Sequence, residues 1–324
     1  MDMETNRAME VVGIGVPYYD MVINVSKMPG LDGADGANEA FYQGGGKVAT
    51  AMAAAARLGR RAGIIDKVGE NHRGRFVIED FRYNGVDTSA VIVDAPGTSS
   101  PFCLSLSEEE HKTRIFIGKE GTAGELQPEE IDYSYLGKAK YLHLENGRPA
   151  SEAAARFAKE HGIVTVMDAD NYQEGIVKLL PLLDVFIASE FFYRDMFGEL
   201  DYEAGCRRLM TAGPSTVIVT LGSRGSVGLT EQDGFFKTES FQVPVRDTTG
   251  AGDVFHGAYI VGLLEGMNAP ECARFASAVS AIKCTCFGGR TGIPDRKTVA
   301  EFLETGVIDD TQAQERLAYY RNNL

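Results

Sequence analysis

Residues 247–258 read Asp-Thr-Thr-Gly-Ala-Gly-Asp-Val-Phe-His-Gly-Ala, and this stretch decides the fold. Gly250 and Gly252 allow successive main-chain N–H groups to turn toward one point, and the apolar residues that follow predict a helix over 252–265. The positive end of that helix dipole would add to the nest of N–H groups. We therefore predict an anion hole suited to the equatorial oxygens of a transferring phosphoryl group.

Asp253 follows the second glycine of this stretch, in the place where an anion would bind. A carboxylate in that position can accept the proton of an attacking hydroxyl group. We therefore predict that Asp253 is the catalytic base. The alternative is an ordinary glycine turn in which Asp253 only caps the helix.

A second glycine-rich stretch, residues 44–46, precedes a segment dominated by alanine. Residues 47–58 (KVATAMAAAARL) predict a helix, because alanine has the highest helix propensity and Gly59 follows the segment. So many small side chains also allow close packing of this helix against a sheet.

Apolar strands alternate with helical segments along most of the chain. The predicted strands lie near 11–16, 62–65, 91–93, 141–144, 163–167, 184–187 and 216–220, and the further helices at 73–84, 151–160, 173–180, 201–212, 270–287 and 295–304. This alternation is typical of an α/β fold with a Rossmann-like, mainly parallel sheet flanked by helices.

Four predicted strands do not fit that alternation, namely those near 21–25, 39–42, 100–106 and 113–117. We predict that they form a small separate β-sheet, a lid over the mouth of the main sheet. Residues 1–324 would then be a single domain with lid strands inserted in it.

Five stretches together resemble the ribokinase-like (PfkB-type) carbohydrate kinases, in the expected order and over about residues 11–304. Residues 247–258 are similar to the second signature of that family, and residues 44–59 are similar to the first. The further matches are 13–20 (GIGVPYYD), 219–225 (VTLGSRG) and 288–294 (GGRTGIP). Because single motifs occur by chance, the specificity lies in the combination.

The resemblance implies a sugar kinase that uses ATP and Mg²⁺. Asp20 would hydrogen-bond sugar hydroxyl groups, which a charged acceptor does well, although an Asp there could also serve only as a turn residue. Further residues carry implied roles: Gly44, Gly45 and Gly46 beside the sugar, Gly250, Ala251 and Gly252 in the anion hole, and Thr220, Gly222 and Gly225 beside the nucleotide.

The resemblance also implies a cation site and a dimer contact. Asp247 and Thr249 occupy positions that help to hold a monovalent cation, such as K⁺, in relatives. The lid often forms a dimer contact in the family, so a homodimer through the lid is expected here.

The chain departs from the family pattern at two places. Thr50 replaces the usual Asn of the first signature, and it offers one hydrogen-bond donor where Asn offers two. Residues 189–192 (SEFF) replace an Asn-x-x-Glu motif that organises magnesium in relatives. Glu190 could compensate as a metal ligand, and so could Asp168 with Asp170.

The composition excludes several classes of protein. The 324 residues are 44% hydrophobic and carry a net charge of −14, so nucleic acid and anionic membranes are not expected partners. Residues 1–10 are polar and acidic, unlike a secretory signal. Five cysteines, an odd number, favour free thiols in the cytoplasm.

The function predicted from these patterns is ATP-dependent phosphorylation of a small sugar. The alternatives are a nucleoside kinase of the same fold, and a sugar-binding regulatory protein with weak catalysis.

An anionic sugar is a further expectation. Lys112 and Arg114 lie on or beside a predicted lid strand, and Arg148 follows a core strand, so they could focus an anion at the mouth. Residues 167–190 also weakly resemble kinases that act on sulfofructose. The alternative is that Lys112 and Arg114 only pair with residues 108–110 (EEE) in solvent.

Overall fold

The computed structural model describes residues 9–111 and 113–322. The strands are β1 (Val11–Ile14), β2 (Tyr18–Val25), β3 (Ala37–Gly45), β4 (Ala62–Val68), β5 (Val91–Val93), β6 (Phe102–Glu108), β7 (Arg114–Lys119), β8 (Tyr141–Leu144), β9 (Val164–Ala169), β10 (Val185–Ser189), β11 (Thr216–Thr220), β12 (Ser226–Thr230) and β13 (Gly234–Thr238). The α-helices are α1 (Lys47–Arg57), α2 (His72–Tyr83), α3 (Tyr133–Leu136), α4 (Pro149–Glu160), α5 (Glu174–Leu179), α6 (Glu190–Phe197), α7 (Tyr202–Thr211), α8 (Ala251–Leu264), α9 (Ala269–Lys283), α10 (Arg296–Thr305) and α11 (Thr311–Arg321).

Nine strands form the main sheet, in the order β13-β12-β11-β10-β9-β8-β1-β4-β5. Pairing is parallel from β11 through to β5, whereas β12 and β13 are antiparallel additions at one edge. The chain runs outward from β1 in both directions, so the carboxyl ends of β1 and β8 mark the topological switch point. Ligands of open α/β sheets bind outside the strands at such a point.

The four predicted lid strands form a separate sheet, in the order β3-β2-β6-β7. Strands β2 and β3 extend several residues beyond the predicted bounds. β2 begins at Tyr18 because Tyr19 pairs with Gly44 and Phe102, so the expected connecting segment before residue 21 is part of the strand. Asp20 therefore lies within a lid strand, and its alternative role as a turn residue is wrong.

Helix α8 is buried between α1 and α9, which positions its first turn at the mouth of the main sheet. Every residue from Val254 to Gly262 is buried, as expected for a helix that is apolar on all sides. Alanine-rich α1 packs closely against it, and the helix predicted at 270–287 ends at Lys283, earlier than expected.

Strands β12 and β13 and helices α3 and α11 were not predicted. The two strands add a hairpin beyond β11, and α11 packs on the outside of the lid strand β3. All five cysteines carry free thiols, as predicted. Within the described ranges, no helix has both the length and the apolar character needed to cross a bilayer.

Candidate active site

Residues 247–253, the DTTGAGD loop, lead directly into helix α8. Gly250 caps the helix with φ 73°, and a Cβ there would lie 2.9 Å from the Cα of Gly289. Glycine is the residue that this left-handed conformation and close approach allow. A Cβ on Gly252 would meet no atom within 4 Å, so the loop is open there. Ala251 donates its N–H to the Thr248 carbonyl over 3.2 Å.

The predicted anion-hole residues Gly250, Ala251 and Gly252 thus surround the N-terminal end of α8. The first N–H groups of a helix lack partners within it, and the helix dipole is positive at that end. The geometry supports an anion-binding role at this end of α8.

Asp253 lies in the first turn of α8 and is half-buried. Burial raises the pKa of its carboxyl group, the nearby carboxylate of Asp168 raises it further, and Lys47 opposes both effects. A carboxylate with a raised pKa binds a proton more strongly than an exposed one. The side chain therefore has the property that a general base at neutral pH requires.

Lys47, the first residue of α1, faces a group of carboxylates at the carboxyl ends of the parallel strands. Its Nζ lies 4.0 Å from an Asp170 oxygen. Burial lowers the pKa of Lys47, but Asp168, Glu145, Asp170 and Asp253 raise it, and the net shift is upward. The ammonium group is therefore charged. No role for Lys47 or Glu145 was predicted from the sequence, although Lys47 lies inside the first glycine-rich signature.

Glu145 joins the end of strand β1 to the start of helix α1. Its buried carboxylate accepts N–H groups from Val16 at 2.8 Å and from Val48 at 3.0 Å. A side-chain anion that holds two main-chain donors fixes both segments. Glu145 thereby positions the glycine-rich turn before α1.

Asp20 projects from lid strand β2 toward the glycine-rich turn. A Cβ on Gly45 would overlap both carboxylate oxygens of Asp20, so the close approach requires glycine. Burial raises the pKa of Asp20 to about 7, Arg290 opposes this and Asp80 adds to it. Within the described residues, the buried Oδ1 atom of Asp20 has no hydrogen-bond partner. An unpaired buried acceptor is costly unless a ligand supplies a donor.

Arg290 supports this part of the site from the opposite end of the sequence. Its fully buried guanidinium group pairs with Asp80 and donates to the Gly45 carbonyl over 3.0 Å. It also donates to the Thr50 hydroxyl over 3.3 Å. The oxygen of the Thr50 hydroxyl thus accepts a hydrogen bond from Arg290, and the hydroxyl proton stays available to an acceptor. Arg290 lies in the motif at 288–294, but no role for Arg290 was predicted from the sequence.

Known proteins are similar to this chain over the residues that form the site. A profile of the pfkB family of carbohydrate kinases matches residues 8–296. The chain belongs to this family. It is 29% identical over 268 residues to a ribokinase of Haemophilus influenzae, covering 80% of this chain and 87% of the relative. It is 27% identical over 282 residues to a 5-dehydro-2-deoxygluconokinase of Geobacillus kaustophilus, covering 80% and 84%.

Solved structures of the PfkB family share the fold. A ribokinase of Thermotoga maritima aligns with a TM-score of 0.78 at 26% identity, covering 92% of this chain and 100% of that one. An Escherichia coli protein described as a putative ribokinase II, in complex with ATP and Mg²⁺, aligns with a TM-score of 0.79 at 24% identity, covering 91% and 99%. The chain is therefore a carbohydrate kinase with the ribokinase fold, as the sequence predicts.

The nucleotide-side residues of this PfkB kinase meet at the ends of β10 and β11. Thr220 ends β11, and Gly222 and Gly225 bound a short turn that leads into β12. Glu190 begins α6 beside them. The structure therefore brings the three predicted nucleotide-binding residues together, and their contact with ATP stays a prediction.

Glu190 is engaged by protein groups on several sides. It pairs with Arg194 at 2.6 Å and with Arg224, and it accepts the Tyr202 hydroxyl at 3.0 Å. Hydrogen bonding to Arg224 is the largest of the effects that hold its pKa below the ordinary value. These contacts occupy both oxygens, so they give no support to Glu190 as a metal ligand.

The remaining positions of the altered family motif have structural roles. The Ser189 hydroxyl accepts the N–H of Phe192 over 3.0 Å and so caps α6. Phe192 is fully buried. The acidic group at the ends of the strands, which includes Asp168 and Asp170, is thus the better candidate for the magnesium side of the site.

The lid contacts the DTTGAGD loop at two points. The Ser105 hydroxyl of β6 lies 3.4 Å from that of Thr249, and Arg114 of β7 donates to the Thr248 hydroxyl. Glu108 instead binds His111 and Thr113. The alternative in which Arg114 only pairs with residues 108–110 is therefore not what the structure shows. Lys112 lies outside the described residues.

Arg148 lines an open cavity of about 90 Å³ between the main sheet and the base of the lid. It caps helix α4 and forms an ion pair with Glu125 at 3.5 Å, with both side chains about half-exposed. Asp66 and Glu120 also line this cavity. Burial raises the pKa of Asp66 to about 7, which weakens its opposition to an anion.

Proposed function

We propose that this PfkB kinase transfers the γ-phosphoryl group of ATP to a hydroxyl group of a small anionic sugar, with Asp253 as the general base. The observation that carries the proposal is the position of Asp253: a carboxyl group of raised pKa at the open, positive end of α8. Its raised proton affinity fits the abstraction of a hydroxyl proton as the oxygen attacks phosphorus.

The sugar is oriented by Asp20 and the glycine-rich turn. The unpaired oxygen of Asp20 would accept a sugar hydroxyl, and the main chain at Gly44, Gly45 and Gly46 would lie against the ring. The attacking hydroxyl then faces Asp253, and the N–H groups of Gly252 and its neighbours receive the phosphoryl oxygens. Holding both reactants in this way removes much of the entropic barrier.

The carboxylates of Asp168 and Asp170 would hold Mg²⁺, since oxygen ligands on one edge of a sheet suit this ion. Magnesium neutralises charge on the ATP phosphates when it is bound. Lys47 supplies a fixed positive charge beside these carboxylates. The charge of Lys47 reduces the repulsion among these carboxylates and attracts phosphate.

The anionic character of the sugar rests on the placement of arginines. Arg114 reaches from the lid to the DTTGAGD loop, and Arg148 lines the cavity at the base of the lid. The Arg148 ion pair with Glu125 is half-exposed and so contributes little, which leaves its guanidinium group available to a ligand. A relative is named for 5-dehydro-2-deoxygluconate, a sugar acid.

We expect a panel of sugars to show higher kcat/KM for phosphorylated, sulfonated or carboxylated sugars than for ribose, fructose or nucleosides. Arg148→Ala should lower kcat/KM for the anionic substrate by roughly 10- to 100-fold, because a hydrogen bond to a charged group contributes ~1.5–3 kcal/mol. Arg114→Ala tests the lid arginine in the same assay.

Arg156→Ala is the matched control, because Arg156 lies on α4, the helix that Arg148 precedes, and its exposed side chain pairs with Glu152. It should behave like the wild type. A preference for neutral sugars, with Arg148→Ala and Arg114→Ala unchanged, would contradict the anionic substrate and leave the kinase assignment in place.

We also propose that the lid forms a homodimer contact. Strand β7 lies at an edge of the lid sheet, and its Ile115, Phe116 and Ile117 side chains are 46%, 52% and 58% exposed. An edge strand with exposed apolar side chains favours pairing with a second copy.

Light scattering after gel filtration should give twice the chain mass for the wild type and one chain mass for Phe116→Glu. A monomeric wild type at micromolar concentration would refute the contact.

A further inference from the structure

A buried lysine ends helix α9 directly behind the DTTGAGD loop. Lys283 is 0% exposed, and its Nζ donates a hydrogen bond to the main-chain carbonyl of Asp247 over 3.0 Å. Asp247 is the first residue of the loop, and Asp253 is its last. The ammonium group therefore contacts the segment that carries the anion hole and the base.

Burying an ammonium group is costly unless charge and hydrogen bonds compensate it. Two features of the structure do so. Lys283 is the last residue of α9, where the helix dipole favours a cation, and the buried carboxylate of Asp247 lies nearby. Burial raises the pKa of Asp247, but Lys283 and the N–H groups of Thr249 and Gly288 lower it, and the net shift is downward.

The carboxylate of Asp247 and the neighbouring carbonyl of Cys284 are already bound to donors of the protein. The Asp247 carboxylate accepts the N–H of Thr249 and of Gly288, each at 2.8 Å. The carbonyl of Cys284 accepts the N–H of Arg246 at 2.8 Å and of Asp247 at 3.2 Å. With Lys283 on the Asp247 carbonyl, these groups do not fit the monovalent cation that the family resemblance implies at Asp247 and Thr249.

We propose that the ammonium group of Lys283 is a built-in cation that takes the place of a monovalent ion behind the anion hole. It fixes the DTTGAGD loop and adds positive charge on the side away from the phosphates. One turn earlier on α9, Ser280 donates to the carbonyl of Ala251 over 2.9 Å, so the same helix end supports both ends of the loop. Lys283 is a positioning residue, and the inference rests on the proposed phosphoryl transfer.

The first test compares the wild type in chlorides of K⁺, Na⁺, NH₄⁺ and tetramethylammonium. At equal ionic strength, and therefore equal screening, kcat should agree within about twofold. Lys283→Met should lower kcat by about 10-fold or more, because a displaced loop misaligns the reacting groups. Lys283→Ala should regain activity with K⁺ or NH₄⁺ but not with tetramethylammonium. Lys297→Ala removes an exposed lysine and should match the wild type.

Thermal denaturation gives a readout that does not require turnover. An ion that binds only the folded protein raises its Tm, so K⁺ should raise the Tm of Lys283→Ala over the value in tetramethylammonium and leave the wild type unchanged. If the wild type phosphorylates no sugar, the proposed function fails, and these Tm values still decide the role of Lys283. If the variants do not fold, the wild-type salt comparison decides it. Specific activation or stabilisation of the wild type by K⁺ would overturn the inference.

Discussion

Asp253→Asn should lower kcat by about 10²–10⁴-fold, the range expected when a general base is removed. The substitution keeps the size of the side chain and removes its ability to take a proton. ATP affinity should not fall, because Asp253 serves the attacking hydroxyl and its charge opposes the phosphates. Steady-state kinetics and calorimetric titration of a non-hydrolysable ATP analogue measure the two quantities.

Asp195→Asn is the control for this variant, because Asp195 is exposed on α6 and lies outside the site. It should retain wild-type kcat. If Asp253→Asn keeps more than about a tenth of wild-type kcat, the loss is too small for a catalytic base, and Asp253 only interacts with the dipole of α8 from its first turn.

The raised pKa of Asp253 also predicts how activity depends on pH. Its carboxyl group must be ionised to accept a proton, so kcat/KM should rise with pH through that pKa. Burial and Asp168 raise the pKa, and the rising limb should therefore lie well above the range of an exposed aspartate.

Asp20→Ala should weaken sugar binding by about 100-fold, since hydrogen bonds to a charged acceptor contribute ~1.5–3 kcal/mol each. ATP affinity should stay near the wild-type value. Titration calorimetry with the preferred sugar and with a non-hydrolysable ATP analogue measures the two affinities. Unchanged sugar affinity would show that the unpaired oxygen of Asp20 does not face the ligand.

Asp20→Asn is the matched variant, because it keeps the shape of the side chain and one carbonyl acceptor. Burial raises the pKa of Asp20 to about 7, so wild-type sugar affinity should improve between about pH 6 and pH 8 as the carboxylate forms. Asp20→Asn should lose this dependence and bind less tightly than the wild type at the higher pH.

The sequence predicts the parts of this molecule that depend on local pattern. The parallel sheet, the lid strands and the helix that begins at the DTTGAGD loop follow from periodicity and glycine placement. The hairpin of β12 and β13 is missed because its strands are short, with glycines at 225, 228 and 234. These strands exist through pairing with β11, which no local pattern encodes.

The residues that support the site could not be predicted from the sequence, because their partners lie far away along the chain. Arg290 and Asp80 form a fully buried pair although 210 positions separate them along the chain. Lys283 contacts a carbonyl 36 positions away, and the helix pattern of 270–287 predicts neither this contact nor the end of α9 at Lys283. Burial and partners of this kind arise from the tertiary fold, so only the structure assigns a role to Lys47, Arg290 and Lys283.

The proposed reaction passes the γ-phosphoryl group of ATP to a sugar hydroxyl and not to water. The direct measurement follows the label from γ-labelled ATP, with the preferred anionic sugar present and absent. We expect one labelled sugar phosphate for each ADP formed, little ATP consumption without sugar, and loss of transfer in Asp253→Asn. Label released only as inorganic phosphate, or equal ATP consumption with and without sugar, would contradict it.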